Sequence, residues 1–85
     1  MGIEQIILPF VHAITEYPDE VDFSLTELPS NAGSVLIVTM NKRDLPKVVG
    51  RSGVNARSLR TLAAALGGKH RQTYTVLFRE KEDST

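Results

Sequence analysis

The stretch from Val48 to Ala56 places two glycines, Gly50 and Gly53, three residues apart between an apolar pair and a helix-forming run. Glycine adopts backbone conformations and close approaches that a Cβ atom forbids, so this spacing predicts a tight turn directly before a helix. The first N–H groups of a helix lack partners within it and, together with the helix dipole, favour a phosphate. Arg51 between the glycines adds a full positive charge. The stretch therefore predicts an anion-binding turn held by a small scaffold.

The charged residues are distributed unevenly along the chain. The formal net charge is zero, yet residues 1–41 contain six acidic residues and no Lys or Arg. Residues 42–79 contain nine basic residues and a single acidic one, Asp44. Because the local field rather than the total charge attracts a polyanion, this segregation favours a nucleic acid as ligand. The alternative is a solvated surface whose charge happens to be uneven.

Composition narrows the function classes. A chain of 85 residues suffices for one domain, and the lack of cysteine excludes disulfides and thiolate metal sites and fits a reducing cytoplasm. No apolar run approaches the ~20 residues of a membrane span, and the first residues lack the basic region of a signal peptide. His12 and His70 are too isolated to predict a metal site, and the sequence suggests no nucleophile with a base. We expect a cytoplasmic protein without catalytic residues, cofactor or metal.

Hydrophobic periodicity divides the chain into six elements. The apolar residues near the start recur with helical spacing, and Pro9 either kinks this helix or begins its regular part. Asp44 is the predicted N-cap of a short helix, and Gly67-Gly68 is the predicted stop of a longer one. The predicted elements are a helix over about residues 3–17, strands over 21–26 and 35–40, helices over 45–49 and about 53–66, and a strand over 72–79.

The order of these elements predicts their arrangement. The first two strands should form a hairpin, and the two helices between the second and third strands make a right-handed crossover between parallel strands. The result is an α+β fold in which a three-stranded mixed sheet carries three helices on one face. Residues 1–80 should form this single domain, and residues 81–85 a flexible tail.

The run Val48-Val49-Gly50-Arg51-Ser52-Gly53 resembles the V-I-G-x-x-G signature of the K-homology (KH) domain. The predicted α-β-β-α-α-β order is that of the type II, bacterial-style KH fold. The wider pattern, from Asp44 to Thr61 and around Tyr17-Pro18, is similar to the small bacterial stand-alone KH proteins of the KhpA family. The resemblance covers essentially the whole chain.

This resemblance implies non-catalytic binding of single-stranded RNA, in which about four nucleotides cross a groove and the G-x-x-G loop clamps their backbone. It also implies an RNA chaperone or post-transcriptional regulator, with a second KH-containing partner and a role in cell division and envelope growth, hence in cell shape. Val49, Val54 and Ala56 would form an apolar floor under the bases. The predicted RNA-binding residues are Gly50, Arg51, Ser52, Gly53, Lys47, Val49, Val54, Asn55 and Arg57.

Two features predict weak binding by a single domain. Val54 stands where the family often has a basic residue, and residues 42–73 contain no aromatic side chain on which a base could stack. A second module, supplied by a homodimer or a partner, would then be needed for avidity.

Two other functions compete with RNA binding. The strand alternation places Val35, Ile37 and Leu77 on the open face of the sheet, where an apolar spot would suit a protein partner or a second copy of the chain. An adaptor acting through this face is the main alternative. A small enzyme acting on acyl phosphates has only a phosphate-binding turn with Arg51 and Asn55 in its support.

Overall fold

The computed structural model describes residues 2–82 and contains the six predicted elements in the predicted α-β-β-α-α-β order. Short 3-10 turns over Pro18–Glu20, Pro29–Asn31 and Arg51–Gly53 connect them. The elements are α1 (Glu4–Ile14), β1 (Asp22–Glu27), β2 (Gly33–Met40), α2 (Leu45–Val49), α3 (Val54–His70) and β3 (Thr73–Glu80).

The three strands form one mixed sheet in the order β1-β2-β3. β1 is antiparallel to β2, and β3 is parallel to β2 because the chain returns through two helices between them. One row of the open face joins Ser24, Ile37 and Leu77 across all three strands. The mixed sheet and the α+β fold are therefore confirmed.

The core lies between β2, β3 and the helices. Alternate residues of β2 point inward, so Leu36, Val38 and Met40 are fully buried while their neighbours face the open side. The helices supply the remaining apolar surface, and Val76 is the fully buried residue of β3. The buried cluster consists of Ile3, Ile7, Val11, Leu36, Val38, Met40, Val48, Leu59, Ala63 and Val76.

Helix α1 continues through Pro9 but ends earlier than predicted, at Ile14 rather than near residue 17. Pro9 and Gln5, whose carbonyl loses its helical partner, are both exposed, so water can replace the missing bond. Thr15 already has an extended backbone (φ −83°, ψ 145°). The helix ends there because the next N–H groups find acceptors elsewhere in the fold.

Those acceptors belong to Asp44, which is the N-cap residue of α2 as predicted. The Asp44 side chain makes no capping hydrogen bond, although the residue does precede α2. Its carboxylate is fully buried and accepts the N–H groups of Glu16 (2.9 Å) and Tyr17 (3.1 Å). A single carboxylate thus joins the end of α1 to the start of α2.

Helix α3 passes through Gly67 and Gly68 and ends only at His70, so the predicted glycine stop is wrong. Arg71 follows in the left-handed conformation (φ 56°, ψ 40°). The Gln72 N–H donates to the Gly67 carbonyl (2.8 Å) and the Arg71 N–H to the Gly68 carbonyl (3.2 Å), which is a Schellman motif. Gly67 serves close packing instead, since a Cβ there would lie 2.5 Å from the Gln72 carbonyl oxygen.

At the end of β3 the chain is still held to the sheet at Lys81, whose N–H donates to the Met40 carbonyl at 2.7 Å. Residues 83–85 of the predicted tail lie outside the described residues. None of the helices within residues 2–82 is both long and apolar enough to cross a membrane.

Candidate nucleic-acid interface

The loop between α2 and α3 depends on glycine at its first position. Gly50 has φ 82° and ψ 170°, a combination that is essentially restricted to glycine. A Cβ there would also lie 2.8 Å from Cγ and 2.9 Å from the backbone N of Asn55. Ser52 (φ 53°) and Gly53 (φ 77°) then adopt left-handed conformations. These angles turn the chain through one 3-10 turn directly into α3.

Some backbone N–H groups in and beside this loop are hydrogen-bonded, including that of Gly50, which donates to the Pro46 carbonyl at 2.9 Å. The Gly53 N–H donates to the Gly50 carbonyl at 3.0 Å, and the Val54 N–H donates to the Arg51 carbonyl. Within residues 2–82, the N–H groups of Arg51 and Ser52 donate to no protein acceptor. The unpartnered donors expected before the helix therefore lie at the tip of the loop.

Two predicted RNA-binding residues brace the loop from α3. The side-chain amide of Asn55 donates to the Lys47 carbonyl at 3.1 Å, which ties the start of α3 to α2. The Arg57 guanidinium donates to the Ser52 carbonyl and so holds the loop tip from the next turn. Because a guanidinium has five N–H donors, Arg57 retains others for a ligand.

The three predicted basic residues differ in their ionic surroundings. Arg51 and Arg57 are exposed, and neither forms an ion pair with a carboxylate in the described part of the chain. Lys47 Nζ lies 2.8 Å from Oε1 of Glu16 and 3.8 Å from Oδ1 of Asp44. The hydrogen bond to Glu16 raises the pKa of Lys47 above its usual 10.5. Two unpaired positive charges therefore face solvent at the loop, and a third is paired with a carboxylate.

The three apolar residues predicted to lie under the bases differ in exposure. Val54, directly after the loop, is 47% exposed, and Val49 is partly buried. Ala56 is 2% exposed and lies in the interior, so its predicted place under the bases is wrong. Of the three, only the two valines are accessible to a ligand.

Arg60 also has a structural partner. Its Nε donates to the Val76 carbonyl of β3 at 3.2 Å. Only its remaining donors are available to a ligand.

Sequence reasoning missed Glu16 entirely. It belongs to the acidic half of the chain, and no local pattern relates it to the loop. The contact with Lys47 exists because Asp44 holds residues 16 and 17 against α2.

Residues 2–82 contain no group of three or more His, Cys, Asp or Glu side chains placed to hold a metal ion.

The family model described as "KhpA/KhpB, KH domain" matches residues 4–77. This chain belongs to the KhpA/KhpB KH-domain family. The KH resemblance of the Gly50–Gly53 stretch is thereby confirmed at the level of the family.

Named relatives of this KH domain come from several bacteria, and each is called "RNA-binding protein KhpA". The Streptomyces coelicolor protein is 39% identical over 67 residues, which are 79% of this chain and 82% of the relative. The Leifsonia xyli protein is 43% identical over 61 residues, 72% of this chain and 78% of the relative. The Mycobacterium tuberculosis protein is 41% identical over 59 residues, 69% and 71% of the two chains.

Among solved structures, this KH domain is similar to part of Era. An Aquifex aeolicus Era structure with bound GDP.AlF4- matches with a TM-score of 0.61 at 12% identity. A structure of Era with MgGDPNP and a segment of 16S ribosomal RNA matches with a TM-score of 0.58 at 13% identity. The matches cover 95% and 93% of this chain but only 31% and 30% of the Era chains. At this identity the likeness concerns the fold alone.

Proposed function

We propose that this KH domain binds single-stranded RNA without catalysis, and that the loop Gly50–Gly53 grips the RNA backbone. The supporting observation is the pair of unpartnered N–H groups on Arg51 and Ser52, beside an exposed Arg51 guanidinium that has no acidic partner within residues 2–82. Successive N–H groups with a positive side chain suit a phosphate. The RNA-binding names of the KhpA relatives agree with this assignment.

Phosphate contacts would supply most of the affinity. No Phe, Tyr or Trp occurs in residues 42–73, so the bases beside the loop find apolar contact with Val49 and Val54. If about three to four phosphates are neutralised, the logarithm of the binding constant should fall with the logarithm of salt with a slope of about −2 to −3. A clamp of this kind binds weakly and with little dependence on sequence.

The test is the double variant Arg51→Asp with Ser52→Asp. Aspartate tolerates the left-handed conformation at position 52, so the fold should persist while the two new carboxylates repel phosphate. The matched control is Lys69→Asp with Ala65→Asp, which makes the same net charge change on exposed residues nearer the far end of α3.

Fluorescence anisotropy with a labelled single-stranded oligoribonucleotide measures both proteins, and circular dichroism checks their fold. The loop variant should lose binding while the control retains most of it. Equal binding by the two variants would contradict the clamp.

Weak binding by one domain suggests how the protein is used. An RNA chaperone or post-transcriptional regulator in the cytoplasm benefits from contacts that form and release quickly. A second KH module, in a partner or in a homodimer of domains spanning residues 1–80, would supply avidity. Sedimentation velocity with and without the oligonucleotide measures whether such an assembly forms.

A second candidate function is protein interaction through the open sheet face. Leu77 is 45% exposed there and lies next to the partly buried Ile37 in the sheet register, and Val35 lies on the same face. Ile37→Lys should then abolish the complex while RNA binding persists. Sedimentation equilibrium with this variant distinguishes the adaptor from the RNA-binding function, and an unmodified chain that stays monomeric and partnerless would count against it.

A further inference from the structure

Strand β1 carries two apolar side chains that the helices do not cover. Phe23 and Leu25 pair in register with Val38 and Leu36, both fully buried under the helices. Directly opposed residues of an antiparallel pair share a face, so Phe23 and Leu25 belong to the helical side of the sheet. Phe23 is nevertheless 50% exposed and Leu25 38% exposed.

This exposure arises because β1 lies beyond the helical layer. The buried cluster described for residues 2–82 draws on β2, β3 and all three helices but contains no residue of β1. Every residue of β1 is exposed. The strand is also an edge of the sheet, so half of its backbone groups have no neighbouring strand.

The opposite edge of the sheet, strand β3, is partly covered. Helix α3 packs against β3, and Arg60 Nε donates to the Val76 carbonyl of that strand. A side chain that occupies an edge carbonyl hinders the addition of another strand. Among the described hydrogen bonds, the only side chain that reaches a β1 carbonyl is Thr39 of the neighbouring strand, at 3.4 Å from Asp22 O. Of the two edges, β1 is therefore the accessible one.

The charged residues of β1 and of the turn before it are all acidic, although Lys42 and Arg43 lie near Glu20. Asp22 and Glu27 begin and end the strand, Asp19 and Glu20 precede it, and residues 1–41 contain no Lys or Arg. In the described chain the one cation paired with this group is Lys81, whose Nζ lies 3.6 Å from Oδ2 of Asp22. Such a field repels RNA and attracts a basic ligand.

We propose that the edge of β1 binds an extended basic segment of a partner protein as a fourth strand. Backbone hydrogen bonds along β1 would give affinity, and alternate apolar side chains of the segment would cover Phe23 and Leu25. Lys or Arg side chains of the segment on the open face of the sheet would pair with Asp22, and Glu27, on the face of Phe23 and Leu25, would add to the negative field at the end of the strand. This surface is distinct from both the RNA-binding loop and the open face of the sheet.

A second copy of the same chain fits this edge poorly. Two β1 strands paired antiparallel would bring two copies of Asp22 and Glu27 into the same edge, although on opposite faces of the sheet. The acidic residues of the two copies would then share one local field, which opposes the association. The charge therefore selects a basic partner over self-association.

The experiment uses the full chain, isotopically labelled and free of RNA. It is titrated with a capped peptide in which Lys and Val alternate. The peptide has about seven residues, which is a length that an edge strand can accommodate. NMR amide shifts and hydrogen exchange should locate binding at residues 22–27, with new protection of the β1 amides that face outward. A peptide in which Glu replaces Lys should not bind. Self-association through β1 without peptide would overturn the proposed occupant.

Two variants with equal net charge make the test specific. Asp22→Asn with Glu27→Gln removes two negative charges from the edge and should weaken peptide binding at least about tenfold. Ala64→Lys with Ala65→Lys makes the same change in net charge on exposed positions of α3 and should bind as well as the unmodified chain. Equal affinity of the two variants, no binding at the highest peptide concentration, or shifts centred on residues 50–57 would each overturn the proposal.

Discussion

The ammonium group of Lys47 lies 2.8 Å from Oε1 of Glu16, and this ion pair joins the acidic half of the chain to the helix that leads into the G-x-x-G loop. The carbonyl of the same Lys47 accepts the side-chain amide of Asn55, so the lysine adjoins the first turn of α3. The side chains of Lys47 and Glu16 are 42% and 63% exposed. The pair is therefore accessible to a competing phosphate.

Glu16→Gln should increase RNA affinity about two- to fivefold at low salt, because a carboxylate that now competes for Lys47 is removed and exposed ion pairs are weak. The pKa of Lys47, which Glu16 raises, should fall in the variant, as an NMR titration of the lysine would show. Asp19→Asn is the matched control, since Asp19 is exposed and has no ion pair within residues 2–82. An equal gain in both variants would mean that only net charge matters.

Asp44→Ala should lower the free energy of unfolding by about 2–4 kcal/mol, because it leaves the N–H groups of Glu16 and Tyr17 without their buried acceptor. Urea denaturation measures the change. Asp22→Ala, which removes an exposed carboxylate with a looser ion pair, should stay within about 0.5 kcal/mol of the unmodified chain. Similar losses in both variants would contradict the role assigned to Asp44.

The periodicity of the sequence located all six elements because each one buries a single regular face. The buried residues Leu36, Val38 and Met40 of β2 alternate as a strand requires, and Ile3, the N-cap of α1, recurs with Ile7 and Val11 at intervals of four. Element ends were predicted less well, since they depend on contacts distant in sequence. α1 stops at Ile14 because Asp44, far along the chain, accepts the following N–H groups.

The candidate site likewise contains features that the local sequence predicts and features that it does not. Gly50 and Gly53 were identified from local pattern because their positive φ angles are a local requirement. The neutralisation of Lys47 by Glu16, the burial of Ala56 and the bracing role of Arg57 come from tertiary packing and left no local signal. Which of these residues touch RNA stays a prediction.

The adjacent glycines Gly67 and Gly68 should respond oppositely to alanine. A Cβ on Gly67 would lie 2.5 Å from the Gln72 carbonyl oxygen and 3.2 Å from the Tyr74 nitrogen, so the start of β3 would have to move. Gly68 is exposed, and a Cβ there meets nothing within 4 Å. Gly67→Ala should therefore destabilise the protein by about 1–3 kcal/mol, whereas Gly68→Ala should stabilise it by roughly 0.5–1 kcal/mol. Thermal unfolding of the two variants makes each the control for the other. If both substitutions changed the stability in the same direction, the packing role of Gly67 would be refuted.

Arg71→Gly should stabilise the protein by about 1 kcal/mol, because Arg71 occupies the left-handed position of a Schellman motif where glycine avoids the Cβ clash. The gain is partly offset by the greater freedom of glycine in the unfolded chain. Arg71→Ala removes the same charged side chain but keeps a Cβ, so it should show little or no gain and isolates the backbone effect from that of the charge. Chemical denaturation of both variants gives the comparison. A similar stabilisation by alanine and glycine would assign the effect to the lost arginine side chain, and the strained backbone at position 71 would then contribute nothing measurable.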